Sequence, residues 1–314
     1  MREQIGLTDE QIASISQGKA FIKVLPSKTP AEIFMFGAVY VNATPDAFVK
    51  FALDISRMKR MPGYLAVGKF SNAPSLAELE GFSLEPDDIK ALRYCKPGRC
   101  GVQLPASAMD DLHKSLDWSK PDVGHQANER LRMMALDILR RYQETGNSSL
   151  SYHDQIELFD VSSQLRSLLG RSGALPMYLP DLSRILLDYP HTKMSEVESR
   201  FSWERVAFGM KPTLRLNHAI AYQSAGPRGT AHVVAVKQLY ASHYFQLALD
   251  LAVCVTESGR STDKGFYLIT LKGSAQQGLT GFTGSILRRI IVSKTRYVQE
   301  GLLMDLKKAL EAQH

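Results

Sequence analysis

The sequence predicts an α+β fold in which a long-stranded antiparallel sheet, built mainly by the C-terminal half, is closed by a terminal helix. Three observations carry this. Five β-type runs succeed one another between residues 201 and 272, and the short turn signals between them favour an antiparallel meander. A long amphipathic helical pattern ends the chain. Between an N-terminal strand–helix–strand unit and the meander, residues 72–199 change to recurrent prolines and helix starts, which marks a mainly helical insertion within one domain spanning 1–314.

In chain order, Thr8 is a natural N-cap for a helix over 8–17. Residues 32–41 alternate as a strand, with Phe34, Phe36, Ala38 and Tyr40 on one side and Met35, Gly37, Val39 and Val41 on the other; both faces are expected to be partly buried. Thr44-Pro45 opens a helix with Phe48, Phe51, Ala52 and Ile55 on its apolar side, and Met61-Pro62-Gly63 stops it before a strand at 64–70. The insertion reads as helices at 86–92, 105–116, 124–142, 156–169 and 180–187, the longest carrying Leu131, Met134, Ala135, Ile138 and Leu139 on one face. Strands follow at 201–208, 213–224, 230–239, 243–256 and 265–272. A helix over 284–311 places Ile286, Ile290, Val298, Leu302, Leu306 and Leu310 on a stripe expected to cover the sheet.

Composition excludes several function classes. The 314 residues are 44% hydrophobic, enough for a large core, and no apolar run reaches membrane-spanning length. The net charge of +6 is dispersed rather than gathered on one basic tract, which argues against nucleic acid. The first ten residues lack the apolar centre of a signal peptide, so the chain is expected to be cytoplasmic or a mature exported form restarted with Met1. There is no nucleophile elbow, phosphate loop, zinc-protease helix or dinucleotide fingerprint, so ordinary hydrolases, nucleotidases and dehydrogenases lose support and no cofactor is expected. Pro97-Gly98 turns the chain between Cys95 and Cys100, leaving a disulfide, free thiols or a metal site open; His113 and His125 lack ligand spacing, and no metal is expected. A disulfide points to an oxidising compartment.

The order of elements resembles the START-like, or helix-grip, superfamily. The segments Gly68-Lys-Phe-Ser71, Cys95-Lys-Pro-Gly-Arg-Cys100, Phe201-Ser-Trp-Glu204 and Lys237-Gln-Leu-Tyr-Ala-Ser-His-Tyr-Phe245 are similar to stretches of uncharacterised bacterial members, many of them exported. The resemblance implies a curved sheet wrapped on the terminal helix, an apolar ligand and a periplasmic or otherwise exported location. It carries over no catalytic residue.

Site residues are read locally. Regular alternation over 213–224 puts Leu214, Leu216, His218, Ile220 and Tyr222 on one face; over 243–255 it puts His243, Phe245 and Leu247 on an apolar row. The expected ligand site is therefore His218, Tyr222, His243, Phe245, Leu216 and Ile220, facing a cavity beneath the terminal helix. These residues would hold a lipid, sterol-like or polycyclic molecule through burial and a few polar anchors. The rival readings are a cyclase or aromatase using the His and Tyr groups as acid and base, and a protein-interaction module. A histidine on an apolar strand face is more often a hydrogen-bonded core residue. Trp118, His125, Arg130, Tyr142, Tyr152 and His153 are candidate lid residues, and Arg288-Arg289 with Lys294 to Arg296 are a candidate contact for an anionic membrane surface.

Overall fold

Thr8 caps helix α2 (Asp9–Ser16) through a reciprocal capping box with Gln11, after a one-turn helix α1 (Arg2–Ile5). The chain then enters two paired strands, β1 (Phe21–Leu25) and β2 (Glu32–Val41). The computed structural model describes residues 2–96, 99–150, 152–153, 158–170, 179–192, 197–207, 211–226, 229–256, 265–276, 278–279 and 281–312. Strand β1 is absent from the sequence reading because Lys23 interrupts its five residues; its pairing with β2 decides its conformation.

Thr44 caps α3 (Pro45–Leu53), Asp54 restarts the chain as α4 (Ile55–Met58), and β3 (Tyr64–Lys69) follows. The insertion contributes α5 (Pro86–Leu92), α6 (Ala106–Ser115) and α7 (Val123–Thr145). A two-residue ribbon of β4 (Tyr152–His153) and β5 (Leu158–Phe159) then leads to α8 (Val161–Leu169) and α9 (Leu182–Leu187). The meander is β6 (Glu198–Val206), β7 (Thr213–Gly226), β8 (Gly229–Ala241), β9 (Phe245–Val255) and β10 (Phe266–Gln276), closed by α10 (Gly281–Glu311). The expected turn at 258–263 lies outside the described residues.

The main sheet is eight-stranded, curved and antiparallel, in the order β1-β2-β10-β9-β8-β7-β6-β3. The first long strand thus pairs with the last, and the meander runs from there to β3 at the far edge. This is the helix-grip arrangement, with the sequence-predicted α+β class and helical insertion in place. Two of the quoted segments prove to be cross-strand partners: Gly68 pairs with Trp203. A Cβ at Gly68 would lie 2.2 Å from the Trp203 indole nitrogen, so glycine is what lets the ring lie flat across β3 and donate to Glu78 O at 2.7 Å.

Both sheet faces are covered, by different layers. On one, Val39, Val41, Ala221, Val234 and Leu268 pack with Phe48 of α3 and with Leu303 and Leu310 of α10. On the other, Leu214, Leu216, Ile220, Tyr222 and Leu249 pack with the insertion, including Leu131, Ala135, Leu139 and Tyr142 of α7. Near the β1–β2 edge that second face is covered by α2, where Ile15 meets Phe36 and Ala38.

The terminal helix corrects the expected stripe. Ile286, Ile290 and Val298 are exposed, while Ile291, Gln299, Leu303 and Leu310 are buried. The reason is helical pitch: each step of four residues overshoots a full turn by about 40°, so a stripe written in fours winds off the sheet along the helix. Its C-terminal half reaches the core and its N-terminal half turns to solvent.

Candidate functional site

The insertion and the sheet leave a cavity of about 670 Å³ between them, at the end of β8, the start of β9 and the facing sides of α6 and α7. Its walls are mostly apolar, with Leu112 from α6, Leu131, Met134 and Ile138 from α7, and Leu247 from β9. Half-exposed Met133 and the flanking polar residues show that it opens to solvent along one side. The remaining wall is the segment after Cys100, which is tied to the β8–β9 turn: Gln103 N donates to Ser242 O at 2.7 Å and Tyr240 Oη donates to Gln103 O at 2.9 Å.

That wall is anchored by a disulfide between Cys95 and Cys100, with Cα atoms 4.8 Å apart; Cys254 is a free, buried thiol. Of the three cysteine states open in the sequence, the bridged one is formed, and it fits an oxidising location. Closing this short loop removes chain entropy from the unfolded state worth about 2 kcal/mol. Joint Cys95→Ser and Cys100→Ser replacement is expected to lower the melting temperature by roughly 3 °C, and reductant should do the same to the parent protein. A melt indifferent to both would show that the loop is held by its backbone bonds alone.

Charge sits at the mouth. Arg130 faces Asp111 at 3.8 Å and Arg141 faces Asp137 at 2.6 Å, all in solvent-exposed positions that contribute little to stability. Gln238 is 3% exposed; its Nε2 donates to Phe245 O at 3.2 Å, while its Oε1 has no donor among the described residues and is closed off from the cavity. A buried carboxamide oxygen left this way carries a desolvation cost.

The six sequence-predicted residues share the insertion side of the molecule, not the side covered by α10. Leu216, Ile220 and Tyr222 belong to the apolar core formed with α7 and do not border the cavity. Phe245 does border it. Burial raises the Tyr222 phenol well above its ordinary value, and its hydroxyl has no partner among the described residues. The expectation of a cavity under α10 fails on side-chain direction: sequence alternation tells which residues share a face, but not which layer covers it.

His218 is fully buried and saturated. Its Nδ1 meets Tyr142 Oη at 2.9 Å, its Nε2 meets Ser199 Oγ at 2.7 Å, and its ring stacks on Phe201 at 4.4 Å between centroids. Burial, with the neighbouring Lys237, holds its pKa well below the usual imidazole value, so the ring is neutral. Tyr142, a candidate lid residue, is instead completely buried at the centre of this cluster, stacked on Tyr189. Arg130 is at the cavity mouth, His125 is exposed, Trp118 lies edge-on to His113, and the side chains of Tyr152 and His153 lie outside those described.

The side chain the sequence reading missed is Lys237, the cross-strand partner of His218. It is fully buried, its Nζ donates to Asn147 Oδ1, and it sits 4.3 Å from the centroid of the Tyr142 ring. No carboxylate pairs with it among the described residues, and burial pulls its pKa down to about 7. Asn147 is held in turn, its Nδ2 donating to the carbonyls of Leu186 and Leu187 at 2.9 Å each. Gly146 makes the placement possible: at φ +66° it ends α7, and a Cβ there would lie 1.8 Å from Tyr189 O. The signal was available in part, since Val233, Ala235 and Lys237 have the same strand parity.

His243 is not on β9 but in the turn before it, where Tyr244 adopts φ +65° and breaks the alternation. Ser242 Oγ bonds its Nδ1 at 2.8 Å, and Asp88 Oδ2 lies 3.3 Å from its Nε2 without hydrogen-bond geometry. Asp88 is 1% exposed and also binds Lys211 Nζ at 2.6 Å. Burial lowers the His243 pKa more than Asp88 raises it. Ser242 Oγ also accepts from Leu214 N at 2.9 Å, so this Ser–His–Asp set latches the β8–β9 turn to α5 and offers no accessible nucleophile.

Among the described residues no helix is long and apolar enough to cross a membrane. No protein-family model matches the chain, and no curated protein matches it significantly.

Proposed function

We propose that the chain is a START-like protein that binds or carries an apolar small molecule in the 670 Å³ cavity between insertion and sheet, with the insertion as its lid. The observation that carries this reading is the cavity itself: mostly apolar, in the roughly 300–1,000 Å³ range of ligand sites, and walled by two layers, insertion and sheet. At about 25 cal/mol per Å² of apolar surface removed from water, its walls supply most of the affinity. A cyclase reading has less support, because His218, Tyr222 and His243 do not border the cavity. The disulfide supports an exported location.

Native mass spectrometry of freshly purified protein, followed by organic extraction, tests the reading. A stoichiometric apolar molecule, or uptake of one from a lipid and polycyclic panel, is expected. Ala108→Trp, which projects an indole from α6 into the cavity lining, should reduce that uptake at least tenfold with little change in melting temperature. Bare protein with no uptake, or uptake unaffected by Ala108→Trp, would overturn it.

A further inference from the structure

The first half of α10 carries apolar surface that the fold does not use. Ile286, Leu287, Ile290, Tyr297 and Val298 are each between 37% and 80% exposed, and they make up five of the nine large exposed hydrophobics among the described residues. At 100° per residue, Ile286, Tyr297 and Ile290 fall within about 40° of one another, and Leu287 and Val298 extend the arc to about 120°. Exposed Arg289, Lys294 and Arg296 flank or punctuate the same surface. Residues 281–299 contain four basic side chains and no acidic one. Arg288 is spent elsewhere, on Ser27 Oγ and the carbonyls of Pro30 and Glu32.

We infer that this arc docks the protein on an anionic lipid surface. An apolar strip with a tyrosine, bordered by lysine and arginine, is the chemistry that settles at the headgroup boundary: the apolar groups enter the acyl edge and the cations remain among phosphates. Charge decides against a second copy of the chain as occupant. Two such arcs brought face to face would set Arg289, Lys294 and Arg296 against their counterparts, with the nearest acid on the helix only at Glu300. The inference stands on the helix surface and does not depend on the cavity being a ligand site.

Co-sedimentation of the full chain with vesicles tests it, using pure phosphatidylcholine against equimolar phosphatidylcholine and phosphatidylserine. Binding to the anionic vesicles alone, weakened by salt, is expected. Joint Arg289→Glu, Lys294→Glu and Arg296→Glu should cut it by roughly a hundredfold. Joint Ile290→Ser and Tyr297→Ser should cut it at least tenfold, and because both sites are exposed the melting temperature should hold. Equal partition into both vesicle types, or binding that survives both variants, would overturn the inference. So would light scattering that finds a dimer dissolved by the Ile290→Ser and Tyr297→Ser pair.

Discussion

Asn147→Ala is expected to lower the melting temperature by roughly 6 °C, equivalent to about 3–5 kcal/mol, although the side chain lies far from any surface contact. The cost has two sources. Asn147 Nδ2 satisfies the carbonyls of Leu186 and Leu187 at the end of α9, and Asn147 Oδ1 is the acceptor for the buried Lys237 ammonium. Removing the carboxamide leaves two carbonyls without a donor and a cation with only the Tyr142 ring beside it. Thermal melts of the four combinations of Asn147→Ala and Lys237→Met separate the sources. With Lys237 already replaced by methionine, the Asn147→Ala cost should shrink by about 1–3 kcal/mol. An identical cost in both backgrounds would take the ammonium out of the explanation.

Most elements were legible because local chemistry and tertiary context agree. Thr8 and Thr44 cap where they were expected to, and α5 spans the predicted 86–92. The alternation of β2 reads as partly buried on both faces, and the two are covered by α10 and by α2. Disagreement appears where a distant partner decides. Strand β1 exists through its ladder with β2, and the predicted helix start at 156 moves to Val161 because Asp160 caps there and 158–159 pair in a ribbon. Tyr244 at positive φ shortens β9 and takes His243 off it, a backbone choice that no period in the sequence announces.

The site was legible in parity but not in direction. His218, Tyr222, Leu216 and Ile220 do share a face, yet nothing local says whether that face meets α10 or the insertion. Long-range packing settles it, with α7 laid across β8. The buried polar residues were the least legible. Gln238 pairs regularly with Asn217 just before a register shift on β8, and Lys237 in an apolar run would ordinarily be assigned to solvent.

That buried lysine should also set the alkaline side of the stability profile. In the unfolded chain its pKa is near 10.5, and in the fold about 7, so between these values the unfolded state holds a proton that the folded state has released. Stability then rises with pH, by at most about 1.4 kcal/mol per unit; below pH 7 both states are protonated and the cost of the buried charge is fully present. From about pH 7 to 9 the gain should reach on the order of 2 kcal/mol, before the buried Cys254 thiol and Tyr142 phenol, whose pKa values are raised, reverse the trend. On the acid side the sign is carried by His218. Its folded pKa is depressed, so below about pH 6.5 the unfolded state gains a proton that the fold refuses, and stability falls as pH falls. Urea midpoints across this range should therefore show Lys237→Met losing the rise between neutral and alkaline pH while keeping the acid decline, and His218→Gln weakening the acid decline while keeping the rise. A Lys237→Met profile parallel to the parent would mean that Lys237 is not the group releasing its proton on folding, and that Asn147 and the Tyr142 ring hold the ammonium charged inside the core.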